Sequence, residues 1–306
     1  KDKSLLLAVI LQKLGIDARP ALASTYDGFA LPDGPVMVGA FNHAIVHVKL
    51  DGKSIWLDPT LSHQGGTLPR LSIPDYGYAL PIRAGTTDLE LIERPFPKQP
   101  EEEIEEIITF LGGEDTYDHA QLDVRTIYRG RNADGVRNRL ATNGIDHTGR
   151  QYLDYYAEYY PGITAIRPVE VSDDFDSNEI TITEAYAISE EAYEAAELSK
   201  TMPLRATAVL GEIPASIEAN RTAEMWLPYG TYTTHTVKVH IPGKTLAVPE
   251  GVTLEAHGVS VKQTYQARSE WLIVNYELKA TERSVAAGNA MDIVELKNDL
   301  DDIGYL

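Results

Sequence analysis

Residues 39–60 read GAFNHAIVHVKLDGKSIWLDPT, two β-patterned runs on either side of Asp51-Gly52. That dipeptide is the strongest short signal for a two-residue hairpin turn. With such a turn Leu50 faces Lys53 and His47 faces Trp56. Ala44, Val46, Val48 and Leu50 then share a mostly apolar face with Lys53, Ile55, Leu57 and Pro59. His43, Ile45 and His47 share the other face with Ser54, Trp56 and Asp58. His43 and Asp58 become diagonal neighbours, with Cα atoms roughly 7–8 Å apart and side chains long enough to meet. A three-residue turn would shift the register by one and put them on opposite faces.

A carboxylate that holds one imidazole nitrogen orients the ring and stabilises its charged form, leaving the other nitrogen for a nucleophile. His43 and Asp58 thus supply two members of a nucleophile–His–Asp set. The same spacing is also met by a half-buried histidine bonded to an aspartate for structure alone. Trp56, on the same face, is a candidate to shield the site or touch substrate, and is equally an ordinary core residue. His47 lies four residues from His43, about 13 Å along the strand at ~3.3 Å per residue, too far for both to chelate one metal. His63, in a Gly-rich loop, is a weaker third candidate.

The 306 residues suffice for two or three domains at roughly 100–200 residues each. No apolar run approaches the ~20 residues of a membrane span. The net charge of −19 argues against nucleic acid or an anionic membrane surface as partner. The acidic run Glu101–Glu106, EEEIEE, reads as a solvated segment. There is no cysteine, which excludes disulfides, thiolate metal sites and a thiol nucleophile within these residues. The chain opens at Lys1 with neither an initiator Met nor a signal peptide, inside what reads as the first turn of a helix. It is therefore expected to be a fragment whose targeting information lies upstream.

Residues 4–14, SLLLAVILQKL, predict a helix apolar on most sides. Leu7, Ile10, Leu11 and Leu14 form one stripe and Leu6 and Val9 widen it, so the helix is expected to be central and buried. Gly15 is placed to end it, with Ile16 closing back on the last turn. Residues 16–24 predict a strand that Pro20 demotes to an edge or interrupts.

KDKSLLLAVILQKLGIDARPAL at the start, GAFNHAIVHVKLDGKSIWLDPT and then PDYGYAL at 74–80 resemble the second half of a bacterial transglutaminase-like core. The resemblance covers about residues 1–82 and is to the bacterial subfamily in which this core sits among β-rich domains. In that family the motif Gly-Asp-Cys-Lys-Asp-Lys opens the central helix and its cysteine is the nucleophile. The resemblance implies that a cysteine immediately precedes Lys1-Asp2-Lys3, that His43 is the base and that Asp58 orients it. A thiol at a helix N-terminus sits in the positive end of the macrodipole, which lowers its pKa. A helix laid across the hairpin face that bears His43 and Asp58 is expected to bring the three groups together. Lys1 and Lys3 are either electrostatic helpers of a thiolate or exposed first-turn charges.

Beyond residue 82 the composition changes. Residues 83–103 read as a linker, 104–200 as an α+β domain and 201–306 as a β-rich, sandwich-like C-terminal domain with a terminal helix. Strands are predicted at 104–111, 120–129, 164–172 and 178–187, and helices at 132–142, 147–160 and 189–200. Thr148 and Gln151 have capping-box spacing, and Tyr152, Tyr155, Tyr156 and Tyr159 form a stripe that reads as packing. Asp174-Phe175-Asp176-Ser177-Asn178 invites a calcium loop, but Glu179 and Ala185 stand where that loop needs Gly and Glu, so a turn is predicted. Further strands are predicted at 222–228, 234–241, 252–256, 259–267 and 270–279, with a helical tail over 286–303. No nucleotide or zinc motif is present, and neither cofactor nor metal is expected.

The fold class expected is therefore α+β: a truncated core of a buried helix on an antiparallel sheet, followed by the α+β and sandwich-like regions. The function expected is a thiol-dependent amide hydrolase or acyltransferase acting on a protein or peptide, this fragment itself inactive. The alternative is a non-catalytic protein that binds a cell-envelope protein or glycan through its β-rich regions. A periplasmic or extracellular location follows from the resemblance and from an acidic, cysteine-free composition.

Overall fold

Gly15 stops the first helix, α1 (Asp2–Lys13). At φ +82° its N–H reaches the Gln12 carbonyl, and the Ile16 N–H reaches that of Leu11, each at 3.0 Å. This is a Schellman ending, which glycine adopts without strain. The structure is a computed structural model and describes residues 1–113, 116–189, 206–218, 220–243 and 248–302. The chain divides into two units, Lys1–Pro95 and Phe96–Leu306. The class is α+β, with mostly antiparallel sheets and a few helices.

In the first unit, β1 (Asp17–Ala23), β2 (His43–Leu50), β3 (Lys53–Leu57), β4 (Tyr78–Pro81) and β5 (Glu90–Leu91) form a five-stranded antiparallel sheet in the order β3-β2-β1-β4-β5. β1 is central despite Pro20. The Pro20 carbonyl accepts the Ile82 N–H, just past the last paired residue of β4. The missing donor thus falls where that ladder has already ended. Helix α1 lies on the face carrying Ala18, Val46 and Val48, with Ala8 buried between them and Leu7 and Leu11 beside it.

The helix is not buried all round, contrary to the reading from its composition. Its small residues Ser4 and Ala8 face the sheet, while Leu5 is 57 % exposed and Leu14 71 %. Ile10 and Leu14, read as part of the inner stripe, point outward. A second correction concerns the side on which it docks. α1 covers the even-numbered face of β2, whereas His43, Ile45 and His47 belong to the other. On that other face Ile45 clusters with Ala21, Ala23 and Ala79 of the neighbouring strands and with Tyr76 and Ile92.

The second unit begins with β6 (Glu102–Gly113), β7 (Thr116–Arg129), α2 (Arg131–Asn143) and α3 (Ile145–Ala157). β8 (Thr164–Ala165), β9 (Glu170–Asp174) and β10 (Glu179–Ser189) follow, then the short α4 (Thr207–Gly211) and β11 (Met225–Trp226). β12 (Tyr232–His240), β13 (Val252–Ala256), β14 (Val259–Arg268), β15 (Trp271–Ala280), β16 (Ser284–Val285) and α5 (Ala290–Asp302) complete it. A nine-stranded sheet runs β13-β14-β15-β12-β6-β7-β10-β8, with β9 also paired to β10. β6 and β12 meet in parallel, and the other pairs are antiparallel. The strands at 232–280, read from sequence as a sandwich-like region of their own, thus lie edge to edge with those of 102–189. β11 and β16 form a separate pair.

Burial alternates along β12 and β15 with the period of two that a half-covered sheet requires. Tyr156 of α3, Val209 of α4 and Ile293 of α5 join Leu122, Val237 and Leu278 of the strands in one core. Each such side chain, fully buried, contributes roughly 1.5–3 kcal/mol. The acidic run at 101–106 is correspondingly not a solvated segment. From Glu102 on it belongs to β6. Glu103 and Glu105 pair with Arg129 and Lys238, while Glu106 is 8 % exposed beneath the helices.

Two local expectations change as well. α3 begins at Ile145, and the Thr148 hydroxyl donates to the Gly144 carbonyl inside the first turn at 2.9 Å, so no capping box forms. Residues 175–178 form a turn closed by the Ser177 N–H on Asp174 Oδ1 at 3.1 Å. The helix expected over 189–200 falls, after Ser189, outside the described residues. No helix among the described residues is long and apolar enough to cross a membrane.

Candidate active site

The hairpin turn is the two-residue one. Asp51 and Gly52 have φ of 50° and 75°, both positive as a type I′ turn demands. Leu50 pairs with Lys53, His47 with Trp56 and Val46 with Leu57. His43 and Asp58 therefore reach the same side, and His43 Nε2 lies 2.9 Å from Asp58 Oδ2.

Asp58 is 2 % exposed and accepts two hydrogen bonds on each oxygen. Oδ1 takes the Thr60 N–H at 2.9 Å and the Thr60 hydroxyl at 2.7 Å. Oδ2 takes the Tyr76 hydroxyl at 2.6 Å in addition to His43. Burial alone would raise the carboxyl pKa. Donation from Tyr76, Thr60 and His43 outweighs it and holds the group below its ordinary value. Burial, and then the Asp58 carboxylate, push the Tyr76 phenol well above its usual range, so it stays a neutral donor. Gly77 makes this placement of Tyr76 achievable: its φ is +66°, and a Cβ there would stand 2.5 Å from the Gly28 backbone.

The His43 side chain keeps 20 % of its surface exposed. Its ring tilts 32° to that of Tyr76 at 5.3 Å between centroids. Because Asp58 is an acceptor, Nε2 carries the proton and Nδ1 has the free lone pair. That arrangement suits a general base acting through Nδ1. The first turn of α1, on the opposite face of β2, meets the next residue: the Ser4 hydroxyl donates to the Ala44 carbonyl at 2.6 Å. Lys1 and Lys3 are exposed at the start of that helix.

Trp56 is placed elsewhere. It stacks on His47 with centroids 4.4 Å apart and planes 27° apart, and packs against the core of that face. His47 itself is fully buried. Its Nδ1 receives Arg83 Nη2 at 2.5 Å, and its Nε2 meets Ser54 Oγ at 3.0 Å. Arginine can only donate, so Nδ1 is unprotonated and Nε2–H donates to Ser54. A Ser–His dyad needs the reverse, and this pair cannot activate the serine. Burial, then the nearby cations Arg83 and Lys49, lower the His47 pKa against the pull of Glu90 and Asp17. His63 is an exposed residue at φ 59°, outside the Asp58 hydrogen-bond network.

Two members of this site, Tyr76 and Thr60, were not singled out from the sequence. Thr60 had a local signal, since Asp-x-Thr allows the aspartate to accept from the backbone two residues on. Tyr76 had none beyond its place in PDYGYAL, because it arrives from 18 residues away across the sheet end. Among the described residues no group of three or more His, Asp or Glu side chains could hold a metal ion.

No family model matches the chain, and no curated protein matches it. Among solved structures it is similar to a crystal structure described as a "putative protease" from Parabacteroides distasonis ATCC 8503. The identity is 11 % and the TM-score 0.44, over 98 % of this chain and 41 % of that one. The chain thus spans less than half the length of that protein.

Proposed function

We propose that His43 and Asp58 are the acid–base half of a thiol-dependent amide hydrolase or acyltransferase, with the nucleophile on a residue preceding Lys1. What supports this reading most is the held state of Asp58: a buried anion, saturated by four donors, with one oxygen on His43 Nε2. Such a carboxylate fixes the imidazole's tautomer and stabilises the imidazolium that forms when Nδ1 takes a proton. These residues contain no cysteine, so the thiol has to come from outside them. The resemblance of residues 1–82 to transglutaminase-like cores points to the position before Lys1, and the Ser4 hydrogen bond to the Ala44 carbonyl fixes the first turn of α1 on the strand that carries His43.

The thiol transfers its proton to Nδ1 and the sulfur attacks an amide carbonyl. The imidazolium returns the proton to the departing amine, leaving a thioester. Water then gives hydrolysis, and a second amine gives transamidation. The substrate class is a protein or peptide, met in the periplasm or outside the cell. The test uses the protein with its residues upstream of Lys1 restored. A thiol-directed acylating probe labels one cysteine there, and His43→Ala slows labelling by about 10²–10⁴-fold. Labelling at the unaltered rate in that variant, or the absence of an upstream thiol that labels, overturns the reading.

A further inference from the structure

Between the helices and the nine-stranded sheet lies a cavity of about 420 Å³. Its floor is set by three strands: Glu106 on β6, Glu184 on β10 and His235 on β12. Tyr152 and Tyr156 of α3 close it from above, and the exposed Arg139, Gln151 and Tyr155 form its rim. This polar patch interrupts an apolar face. Glu106 and Glu184 lie in one row of the sheet, each directly opposite Val124, so their backbones are roughly 10 Å apart by interstrand spacing.

The patch is rich in acceptors. Glu106 Oε1 accepts the Tyr156 hydroxyl at 2.8 Å and Glu184 Oε2 that of Tyr186 at 2.5 Å. A carboxylate has about four lone-pair sites, so each retains capacity. His235 is 1 % exposed, yet neither ring nitrogen makes a hydrogen bond, although Nε2 stands 3.3 Å from Glu106 Oε1. The buried Tyr152 hydroxyl also makes none. The cavity is lined by three carboxylates, counting Glu102, and one guanidinium, that of Arg139. Burial raises Glu102, and lifts Glu184 to about 7 against the pull of Tyr186 and with the help of Glu106. Carboxyls raised in this way regain their charge beside a cation that brings its own donors.

We propose that this cavity is a binding site for a small alkylammonium ligand, a primary amine or diamine. Its N–H groups are received by Glu106, Glu184 and His235, and its alkyl stem runs along the tyrosine rings. Carboxylates backed by aromatic faces are the chemistry that recognises ammonium groups. A metal ion fits poorly, since no cluster of three His, Asp or Glu ligands is assembled among the described residues. The site is built wholly within the 96–306 unit and does not depend on His43 or Asp58.

Isothermal titration calorimetry of the whole chain with n-butylammonium chloride and 1,4-diaminobutane dihydrochloride tests it, with 1-butanol and D-glucose as neutral controls at equal ionic strength. Saturable one-to-one binding of an ammonium, with neither neutral compound binding, is the expected result. Glu184→Gln and Glu106→Gln are each expected to weaken it at least tenfold. If either variant fails to fold, Tyr155→Ala at the exposed rim, expected to weaken binding severalfold, takes its place. No saturable ammonium binding, equal binding of a neutral compound, or unchanged affinity in the folded variants overturns the proposal.

Discussion

Asp58, buried and holding four hydrogen bonds, makes part of the first unit's stability depend on pH. Its unfolded carboxyl takes a proton near 3.8, and the folded one only at lower pH. Between those values the unfolded chain binds more protons, so the contribution of Asp58 is complete above pH ~4 and is lost as pH falls through the folded pKa. The difference in urea-unfolding free energy between wild type and Asp58→Asn should accordingly shrink with acid below that point. Tyr76→Phe removes a donor to a buried anion, so a loss of about 1.5–3 kcal/mol is expected at pH 7. It should also raise the carboxyl pKa, moving the acid-induced loss to higher pH. Unchanged stability in Tyr76→Phe would remove the phenol from this account. The His43–Asp58 pair was legible in sequence because one turn type sets it. Tyr76 was not, because nothing local carries it across the sheet end.

Elements were read well where a period or a turn decides them, and less well where a neighbour does. The strands β12 and β15, the Asp51-Gly52 turn and the Gly15 helix stop all depend on residues within a few positions. The docking of α1 does not. Its apolar residues go nearly all round, and only the tertiary fit selects Ser4 and Ala8, whose small size permits close approach, as the inner stripe. Glu106 illustrates the same point from the polar side: a residue in an acidic run is buried because β6 is covered by α3. The loop joining Tyr76 to β4 carries a sharper requirement. Gly77→Ala combines a positive φ with a Cβ 2.5 Å from backbone, so a loss above about 2 kcal/mol is expected. The His43–Asp58 hydrogen bond should weaken with it, visible in the imidazole nitrogen shifts. A variant as stable as wild type would show that this approach is not tight.

Across the whole molecule, burial rather than residue type sets the energetics, and one substitution made at two places measures this. Leu278→Ala empties a site in β15 that is fully buried between β12 and β14, and should cost about 2–5 kcal/mol. Leu5→Ala, on the open face of α1, should stay within about 0.5 kcal/mol, since alanine is also the better helix former. Thermal or urea unfolding of the two variants distinguishes them, and equal losses would mean that the outer face of α1 is covered in solution. The sequence by itself determined most of the strands, the hairpin register, the side shared by His43 and Asp58, and the acidic net charge. Each of these follows from side-chain alternation, turn chemistry or composition. Only the tertiary structure decided that β6 pairs in parallel with β12, which face of β2 the helix covers, and that Tyr76, Glu106 and His235 become buried polar groups. Those outcomes join segments many residues apart, and no local period specifies which distant surface will close over a given face.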